Sequence, residues 1–447
     1  MISRFITSNR DSLYALANIG TSRLIITAFS FLSSILIARN LGAEQLGIYA
    51  IIIGVFAYIS IIGDFGLRSV ITVEASRLGG AETVFKNYIR LRLLISLSVY
   101  VITMVGCCFF YSEYIKPTAL IMMGVFFFSL QVDWLLLVYR YYHSAAWVAA
   151  VRWVAYLLMV ALTLQFTELT LFIMSQIFLY SWIISAFISW CIVFRKGALP
   201  QSNDKTSSVG SKKLLILGGP VLGATLVSQA IQNADLLWIG KAFGSKEAGY
   251  YYLASSITVA ALIFANAIGQ IATTQYAGLR GDLKKIRDKL KADIRISIGI
   301  GCVAGLALYL SRPLIIIFFG ESFVYVGELI IYFIPYVIIY HLWSLYFSIL
   351  IALGLERNLL YAKIGIVFIL PFILLAASSA GDIKAIALSK TIVLSLGVFL
   401  MYLKTPKYLK GIFSCFLKPV FIVVFFTALF VFLSDHTFLW QKNNLAP

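Results

Sequence analysis

The stretch PVLGATLVSQAIQNADLLWIGKAFGSKEAGYY, residues 220–251, decides the fold because its pattern also occurs 202 positions earlier in the chain. The corresponding residues are Arg39 and Lys241, Gly42 and Gly244, Gly47 and Gly249, Tyr49 and Tyr251, and, one apolar segment further on, Asp64 and Asn266. A repeat of this length, flanked each time by apolar segments, indicates a membrane protein built from two duplicated halves. The halves are expected to face each other across a pathway.

The composition is that of a membrane protein. Of the 447 residues 61% are hydrophobic and only 12% are charged, and the mean hydropathy is +0.93. A soluble domain has about half apolar residues and about a quarter charged residues. This composition therefore excludes an ordinary soluble enzyme or binding domain.

Thirteen apolar segments follow one another, each long enough, or nearly so, to cross the hydrocarbon core as a helix. They are 13–38, 46–70, 93–111, 118–139, 147–165, 169–194, 214–240, 248–276, 296–311, 327–353, 364–381, 384–403 and 419–434. The alternating pattern of a membrane β-barrel is absent. The predicted organisation is a six-helix lobe (1–194), a polar linker (195–213), a second six-helix lobe (214–403), and a basic connector with an extra hydrophobic segment (404–447).

Basic residues predict the orientation. Most of the 36 Lys and Arg residues lie in alternate connections, which include the N-terminus, the linker and the loop before segment nine. By the positive-inside rule these connections are cytoplasmic. The same rule explains most of the net charge of +17, so the charge is no indication of nucleic-acid binding.

The most basic loop, GLRGDLKKIRDKLKADIR at residues 278–295, has its own periodicity. Apolar residues recur at helical spacing with basic residues between them: Leu279, Leu283, Ile286, Leu290 and Ile294. The pattern predicts an interfacial amphipathic helix on anionic lipid. The alternative is a solvated basic loop.

Three stretches in order carry a family resemblance. They are ILIARNLGAEQLGIYAIIIGVFAYISIIGDFGLRSVI at 35–71, the stretch at 220–251, and RPLIIIFFGESFVYVGELI at 312–330. Over most of its length the chain resembles the polysaccharide transporter family of the multidrug/oligosaccharidyl-lipid/polysaccharide exporter superfamily, and within it the O-antigen repeat-unit flippases. It departs from the family where Asp235 is followed by Leu236 instead of a basic residue, and in having a thirteenth segment.

The resemblance implies an all-α polytopic membrane protein with two pseudo-symmetric six-helix bundles in a V shape around a central cavity, here with an extra C-terminal hydrophobic helix. It implies transfer of an undecaprenyl-diphosphate-linked glycan from the cytoplasmic to the periplasmic leaflet of the bacterial inner membrane. The expected partners are this glycan, membrane lipids, a polysaccharide polymerase and a chain-length regulator. No cofactor, metal or nucleic acid is expected.

Charged residues inside the first half form the first candidate site. At about 1.5 Å per helical residue, six of them fall in the cytoplasmic third of the membrane. They are Arg23, Asp64, Arg68, Asp133, Arg140 and Arg152. Asp64 and Arg68, one turn apart, are expected to pair. The functional interpretation is a vestibule whose guanidinium groups bind a diphosphate. The alternative is that the arginines snorkel to the interface and set topology.

The corresponding part of the second half is polar but mostly neutral. Asn233, Asn266 and Gln270 are candidates for binding sugar hydroxyls, or for hydrogen bonds between helices. Lys390, within segment twelve, is a candidate cavity residue. Asp235 is the candidate carboxylate for proton or cation coupling, unless it pairs with a nearby lysine. Aromatic residues of segment ten, residues 340–346, are candidates for stacking on sugars or for packing.

Three functions compete at this point. A flippase for lipid-linked repeat units agrees with the family motifs and the arginine-rich first half. A multidrug or metabolite antiporter of the same superfamily predicts deep acidic residues and little need for arginine. A membrane glycosyltransferase or polymerase predicts a large outer loop or a carboxylate-rich loop, and the sequence has neither.

Overall fold

The structure, a computed structural model, describes residues 10–78, 81, 84–110, 112–199, 210–279, 282–425 and 427, with side chains described from residue 25 onward. Within these ranges the chain forms helices, short 3₁₀ turns and connections, with no strand. The helices are α1 Arg10–Asp64, α2 Leu67–Leu78, α3 Phe85–Phe110, α4 Ile115–Ser129, α5 Asp133–Val138, α6 Tyr142–Phe166, α7 Leu171–Arg195, α8 Ser211–Ala242, α9 Ser245–Ala261, α10 Ile263–Ala277, α11 Leu283–Leu310, α12 Arg312–Phe319, α13 Val324–Ala352, α14 Glu356–Ser378, α15 Ile383–Lys404 and α16 Lys407–Phe413.

The repeat seen in the sequence is visible in the backbone. Gly42 has φ 73° and ψ 173°, and its counterpart Gly244 has φ 102° and ψ 177°. This region of backbone space is almost restricted to glycine. Gly42 therefore breaks α1, and at the equivalent position of the repeat Gly244 separates α8 from α9.

Ten helices of the described chain are long and apolar enough to cross a membrane, or eleven when α9 and α10 are taken as one bent span. The first stretch, Ile25–Ala75, has 51 residues, whereas one crossing needs about 20. With its break at Gly42 it is long enough for two crossings. The predicted all-α polytopic membrane fold is confirmed. Of the predicted segment 419–434, part lies outside the described residues. The described part belongs to a helical stretch, residues 417–425.

By its internal contacts the chain divides into a first unit, Met1–Gly240, and a second unit, Lys241–Pro447. Nearly all of α8 therefore belongs to the first unit. The repeat-based lobes, 1–194 and 214–403, remain a prediction, and residues 200–209 of the predicted linker lie outside the described residues.

In the first unit α1 packs against α3, α4 and α6, and α7 packs against α4 and α6. An aromatic group fills the space between these helices: the rings of Phe56 and Phe178 are 5.0 Å apart, and those of Phe128 and Trp182 are 5.4 Å apart. Gly124 of α4 is needed there, because a methyl group on it would lie 3.1 Å from Trp182. Aromatic burial of this kind holds the helices in one register.

In the second unit α13 is the central helix and packs against α9, α10, α11 and α15. Small residues allow its close crossings: a methyl group on Gly269 of α10 would lie 2.6 Å from Ser348 Oγ. Ser344 Oγ donates to the Ala265 carbonyl oxygen at 2.9 Å. Small residues and interhelical hydrogen bonds of this kind are typical of membrane helix packing.

Most of the basic loop is helical, as its periodicity predicted, and the helix continues into segment nine. The basic residues and segment nine form one continuous helix, α11. Ile286, Leu290 and Ile294 are buried, as their spacing predicted. The predicted helix with one buried apolar side is therefore confirmed, and the alternative of a solvated loop is wrong over residues 283–295. Its contact with anionic lipid stays a prediction.

Candidate functional site

Four charged side chains meet in the interior of the first unit where α1, α2, α3 and α5 come together. They are Asp64, Arg68, Arg92 and Asp133, and we call them the charge cluster. Asp64 is the last residue of α1, and Asp133 is the first residue of α5. Two acids and two bases make the cluster neutral as a set, which is how buried charges are usually accommodated.

Arg92 is the most enclosed member, with no exposed side-chain surface. Its Nη2 lies 2.8 Å from Asp64 Oδ1, and its Nη1 donates to the Tyr88 hydroxyl at 2.7 Å. Its guanidinium also lies over the rings of Tyr88 and Phe128, at 5.3 and 5.1 Å. A charge so enclosed is fixed in place, so Arg92 acts by holding Asp64 and the surrounding helices.

Arg68 forms an ion pair with Asp133, so the predicted pair between Asp64 and Arg68 is wrong. The physical reason is a helix break: Phe65 has φ 51° and Gly66 has φ 69°. Two residues in left-handed conformation rotate the start of α2 away from the line of α1, and the i, i+4 relation no longer holds.

The Arg68–Asp133 pair is the accessible part of the charge cluster. The Arg68 side chain is 34% exposed, whereas that of Asp133 is 8% exposed. Asp133 Oδ1 is buried and has no hydrogen-bond partner among the described residues. Arg68 is partly exposed, and one oxygen of Asp133 has no hydrogen-bond partner. This pair can therefore exchange partners more easily than the enclosed Arg92–Asp64 pair.

Arg152 lies apart from the charge cluster, in a second place in the same unit. Its guanidinium carbon is 4.3 Å from the ring centre of Trp153 and 4.2 Å from that of Trp182. No carboxylate of the described chain lies within ion-pairing distance of it. The buried Trp182 Nε1 also has no acceptor in this part of the structure. In the described chain the groups near this guanidinium are aromatic rings and the hydroxyls of Tyr49 and Tyr156, with no carboxylate among them.

The depth of Arg152 also differs from the prediction. Tyr156, one turn later on α6, is hydrogen-bonded to the Tyr49 hydroxyl. Tyr49 lies about 10 Å along α1 from the break at Gly42, by the rise of a helix. Arg152 is also about 15 Å from the start of α6 at Tyr142. It therefore lies near mid-helix and outside the predicted cytoplasmic group.

Of the other two predicted members, Arg140 does not join the charge cluster. Arg140 is exposed in the turn between α5 and α6, with φ 61°. Arg23 is in helix α1, but its side chain lies outside the described residues. Arg92 was missed because it immediately precedes the third apolar segment, 93–111, where a cation is typical of topology signals. Its (i, i+4) spacing from Tyr88 is the one signal that was available.

In the second unit Lys390 is buried among tyrosines. Its Nζ lies 5.9 Å from the ring centre of Tyr251 and 5.6 Å from that of Tyr336. Tyr336 is in turn 5.8 Å from Tyr340, whose hydroxyl donates to Asn266 Oδ1 at 3.4 Å. The structure thus connects Lys390 and Asn266 through two tyrosine rings on α13, an arrangement of aromatic faces and polar groups suited to a sugar.

Other predicted residues are placed differently. Gln270, one turn after Asn266, is exposed, and Asn233 on α8 is half-buried. Asp235 is buried in α8, and its Oδ1 accepts a hydrogen bond from the Leu236 amide at 2.9 Å. Within the described ranges no three His, Cys, Asp or Glu side chains group as a metal site.

Most aromatic residues of segment ten are packing residues. Tyr346 is fully buried and stacks on Phe413 and Phe416 at 5.0 and 4.5 Å, and its hydroxyl pairs with Thr405. His341 is also fully buried. Their alternative role as sugar platforms is therefore restricted to Tyr340, which is partly accessible.

The family profile described as "Polysaccharide biosynthesis protein" matches residues 16–274, which is more than half of the chain and includes the charge cluster. The chain belongs to this family. The resemblance noted in the sequence is thereby confirmed. No curated protein sequence matches the chain.

Solved structures share the fold of this family member. The lipid II flippase MurJ in an inward closed conformation has a TM-score of 0.70 and 15% identity, over 93% of this chain and 92% of that one. An inward-facing multidrug resistance MATE transporter of the MOP superfamily has a TM-score of 0.66 and 14% identity, over 90% of this chain and 99% of that one. The MATE transporter VcmN of Vibrio cholerae has a TM-score of 0.57 and 14% identity, over 91% of this chain and 98% of that one. At these identities the similarity shows the fold, which is that of membrane transporters and flippases.

Proposed function

We propose that this protein is a flippase that moves an undecaprenyl-diphosphate-linked oligosaccharide repeat unit, of an O-antigen or related surface polysaccharide, from the cytoplasmic to the periplasmic leaflet. Membership of the polysaccharide biosynthesis family supports the polysaccharide link. The fold shared with the lipid II flippase MurJ supports a lipid-linked substrate. The cycle we propose is alternating access, with Asp235 as the carboxylate that couples it to a proton or cation.

The observation that carries the proposal is the presence of two arginines able to take an anion inside the first unit. Arg152 has aromatic neighbours and no carboxylate partner in the described structure, and Arg68 is partly exposed beside a half-satisfied Asp133. An unpaired cation at membrane depth is costly unless an anion or water compensates it. A diphosphate offers pairs of anionic oxygens that the planar guanidinium fork can bind in a bidentate way.

We assign roles from these positions. Arg68 binds the diphosphate by exchanging Asp133 for a phosphate oxygen, and Arg152 binds it at a second position nearer mid-membrane. Arg92 and Asp64 keep the helices around Arg68 in place. In the second unit Tyr340, Asn266 and Lys390 contact the sugars, with Gln270 and Asn233 as further polar contacts.

The proposal places the chain in the bacterial inner membrane with a cytoplasmic N-terminus, as the distribution of basic residues predicts. A polysaccharide polymerase and a chain-length regulator would act on its product. The proposed transfer moves the lipid-linked glycan between leaflets and breaks no covalent bond.

Reconstitution tests the proposal. Purified protein is placed in vesicles with a fluorescent undecaprenyl-diphosphate-linked oligosaccharide, and access of the label to an added membrane-impermeant quencher is followed. We expect faster exchange between leaflets than in vesicles without protein. Exchange equal to that of protein-free vesicles would contradict the proposal.

The second candidate is a multidrug or metabolite antiporter, supported by the fold shared with MATE transporters and by the buried Asp235. It requires an acidic binding site for cationic compounds, whereas the acids of the charge cluster are already paired with arginine. Drug susceptibility of a deletion strain separates the two functions. Increased susceptibility to cationic drugs with unchanged surface polysaccharide would favour the antiporter.

A further inference from the structure

Helix α11 begins with three basic turns and continues without a break into an apolar helix long enough to cross a membrane. Its cations fall on two faces. On one face Lys285 lies 2.9 Å from Asp282, and Lys289 lies 3.0 Å from Asp293. Hydrogen bonding from the Lys285 amide lowers the pKa of Asp282 and keeps that carboxylate charged. The cations of this face are therefore compensated within the protein.

The other face is not compensated in this way. It carries four exposed cations at spacings of three and four residues, which we call the basic stripe: Lys284, Arg287, Lys291 and Arg295. None of the four forms an ion pair with a carboxylate of the described chain. At helical rise the basic stripe extends about 16 Å along one side of α11.

The same side of α11 becomes apolar beyond the basic stripe. Cys302, Leu306 and Leu310 continue the helical spacing after Arg295, and all three are exposed. The adjoining side of the helix, with Leu290, is buried in the second unit. One exposed side thus changes from cationic to apolar along the helix. A phospholipid has the matching order, with an anionic phosphate followed by apolar acyl chains.

A second element adjoins the basic stripe. Burial raises the pKa of the Cys415 thiol, and the nearby charges of Lys291 and Arg287 partly oppose that shift. The turn that contains Cys415 follows α16, and it is anchored by Phe416, which is fully buried. Cys415 therefore lies close enough to Lys291 and Arg287 for their charges to influence it.

We propose that this side of α11 binds one anionic phospholipid of the cytoplasmic leaflet, with its phosphate on Lys291 and Arg295 and its acyl chains along Leu306 and Leu310. Continuity with a membrane-crossing helix places the last cations at headgroup depth, where each one attracts anionic lipid. The exposed apolar continuation favours a diacyl lipid over a soluble phosphate compound. This site is independent of the proposed flippase substrate.

Native mass spectrometry of the full chain in neutral detergent tests the proposal, with dioleoyl phosphatidylglycerol as probe and dioleoyl phosphatidylcholine as the neutral lipid. Lys291→Gln with Arg295→Gln removes two cations of the basic stripe. Lys285→Gln with Lys289→Gln removes the same charge from the compensated face and is the matched control. Each cation contributes roughly fivefold to binding at an anionic surface, so we expect the first pair to weaken phosphatidylglycerol binding roughly 25-fold. The control should change it far less.

Equal losses in the two double variants would mean that binding follows total charge, and this would overturn the proposal. Equal binding of both lipids would overturn it as well. Complete displacement of the lipid by millimolar inorganic phosphate would show a soluble-phosphate site instead. Lys285, Lys291 and Arg295 are exposed and Lys289 is partly buried, and a thermal unfolding midpoint close to wild type confirms that each variant is folded. If the first pair fails to fold, Lys291→Gln alone gives the same comparison.

Discussion

Asp64 in the first unit and Asn266 in the second are equivalent in the repeat, yet their surroundings differ. Asp64 lies 2.8 Å from the guanidinium of Arg92, which has no exposed surface. Asn266 is exposed and accepts a long hydrogen bond, 3.4 Å, from Tyr340. The two units nevertheless share the unusual glycine conformation that precedes these positions.

The comparison shows that the symmetry of the backbone does not extend to the side chains. The glycine breaks determine where helices end, and they are needed in both units. The charges are needed only where a charged group has to be held inside the membrane. Under our proposal the first unit therefore binds the diphosphate, while the tyrosines and amides of the second unit bind sugars.

The largest effect is expected from removing Arg92. Arg92→Met leaves Asp64 charged in the interior without its partner, and breaking a buried ion pair in this way costs about 3–5 kcal/mol. Thermal unfolding in detergent should show a large fall in the midpoint, or the variant should fail to accumulate.

The control for this prediction is the double variant Arg92→Met with Asp64→Asn, which makes position 64 resemble Asn266. With both charges gone, most of the lost free energy of unfolding should return. A double variant as unstable as the single one would show that Arg92 acts through packing alone.

A smaller effect is expected at Arg68. Arg68→Gln removes a charge-assisted hydrogen bond to Asp133, which contributes about 1.5–3 kcal/mol. The protein should remain folded with a lower unfolding midpoint, because Arg68 is partly exposed. An unchanged midpoint would mean that the pair contributes nothing to stability.

The glycine breaks should give similar losses in the two units. Gly42→Ala and Gly244→Ala each force a methyl group into a conformation almost restricted to glycine, at a cost of about 1–3 kcal/mol. Gly106→Ala in α3 is the matched control, since nothing lies within 4 Å of the added methyl. A loss at only one of the two glycines would contradict the shared backbone role.

The smallest effect is expected from Asn266→Asp, which gives the second unit the residue of the first. The position is exposed and the Tyr340 hydroxyl can donate to either side chain, so the free energy of unfolding should change by about 0.5 kcal/mol or less. A large destabilisation would show that position 266 is as enclosed as position 64.

Much of the fold could be predicted from the sequence. The repeat predicted equivalent breaks, and Gly42 and Gly244 have the same kind of conformation. The apolar segments predicted the helices, and the spacing of Ile286 and Leu290 predicted the buried side of α11. Each of these features depends on local pattern, which the sequence contains directly.

The arrangement of the site could not be predicted in the same way. The expected pair of Asp64 and Arg68 assumed a continuous helix, and the break at Phe65 and Gly66 gave each residue a different partner. The partner of Asp64 is Arg92, on another helix. Such pairings depend on how helices cross, and sequence spacing within one helix contains no information about that.

The central claim is that Arg68 and Arg152 of the first unit bind the diphosphate of a lipid-linked glycan. Its most direct test is surface polysaccharide in a deletion strain complemented with wild type, Arg68→Gln, Arg152→Gln or the control Arg140→Gln, at matched levels of folded protein. The account predicts that wild type and the exposed-turn control restore long polysaccharide, whereas Arg68→Gln and Arg152→Gln do not. Full restoration by both of these variants would contradict it.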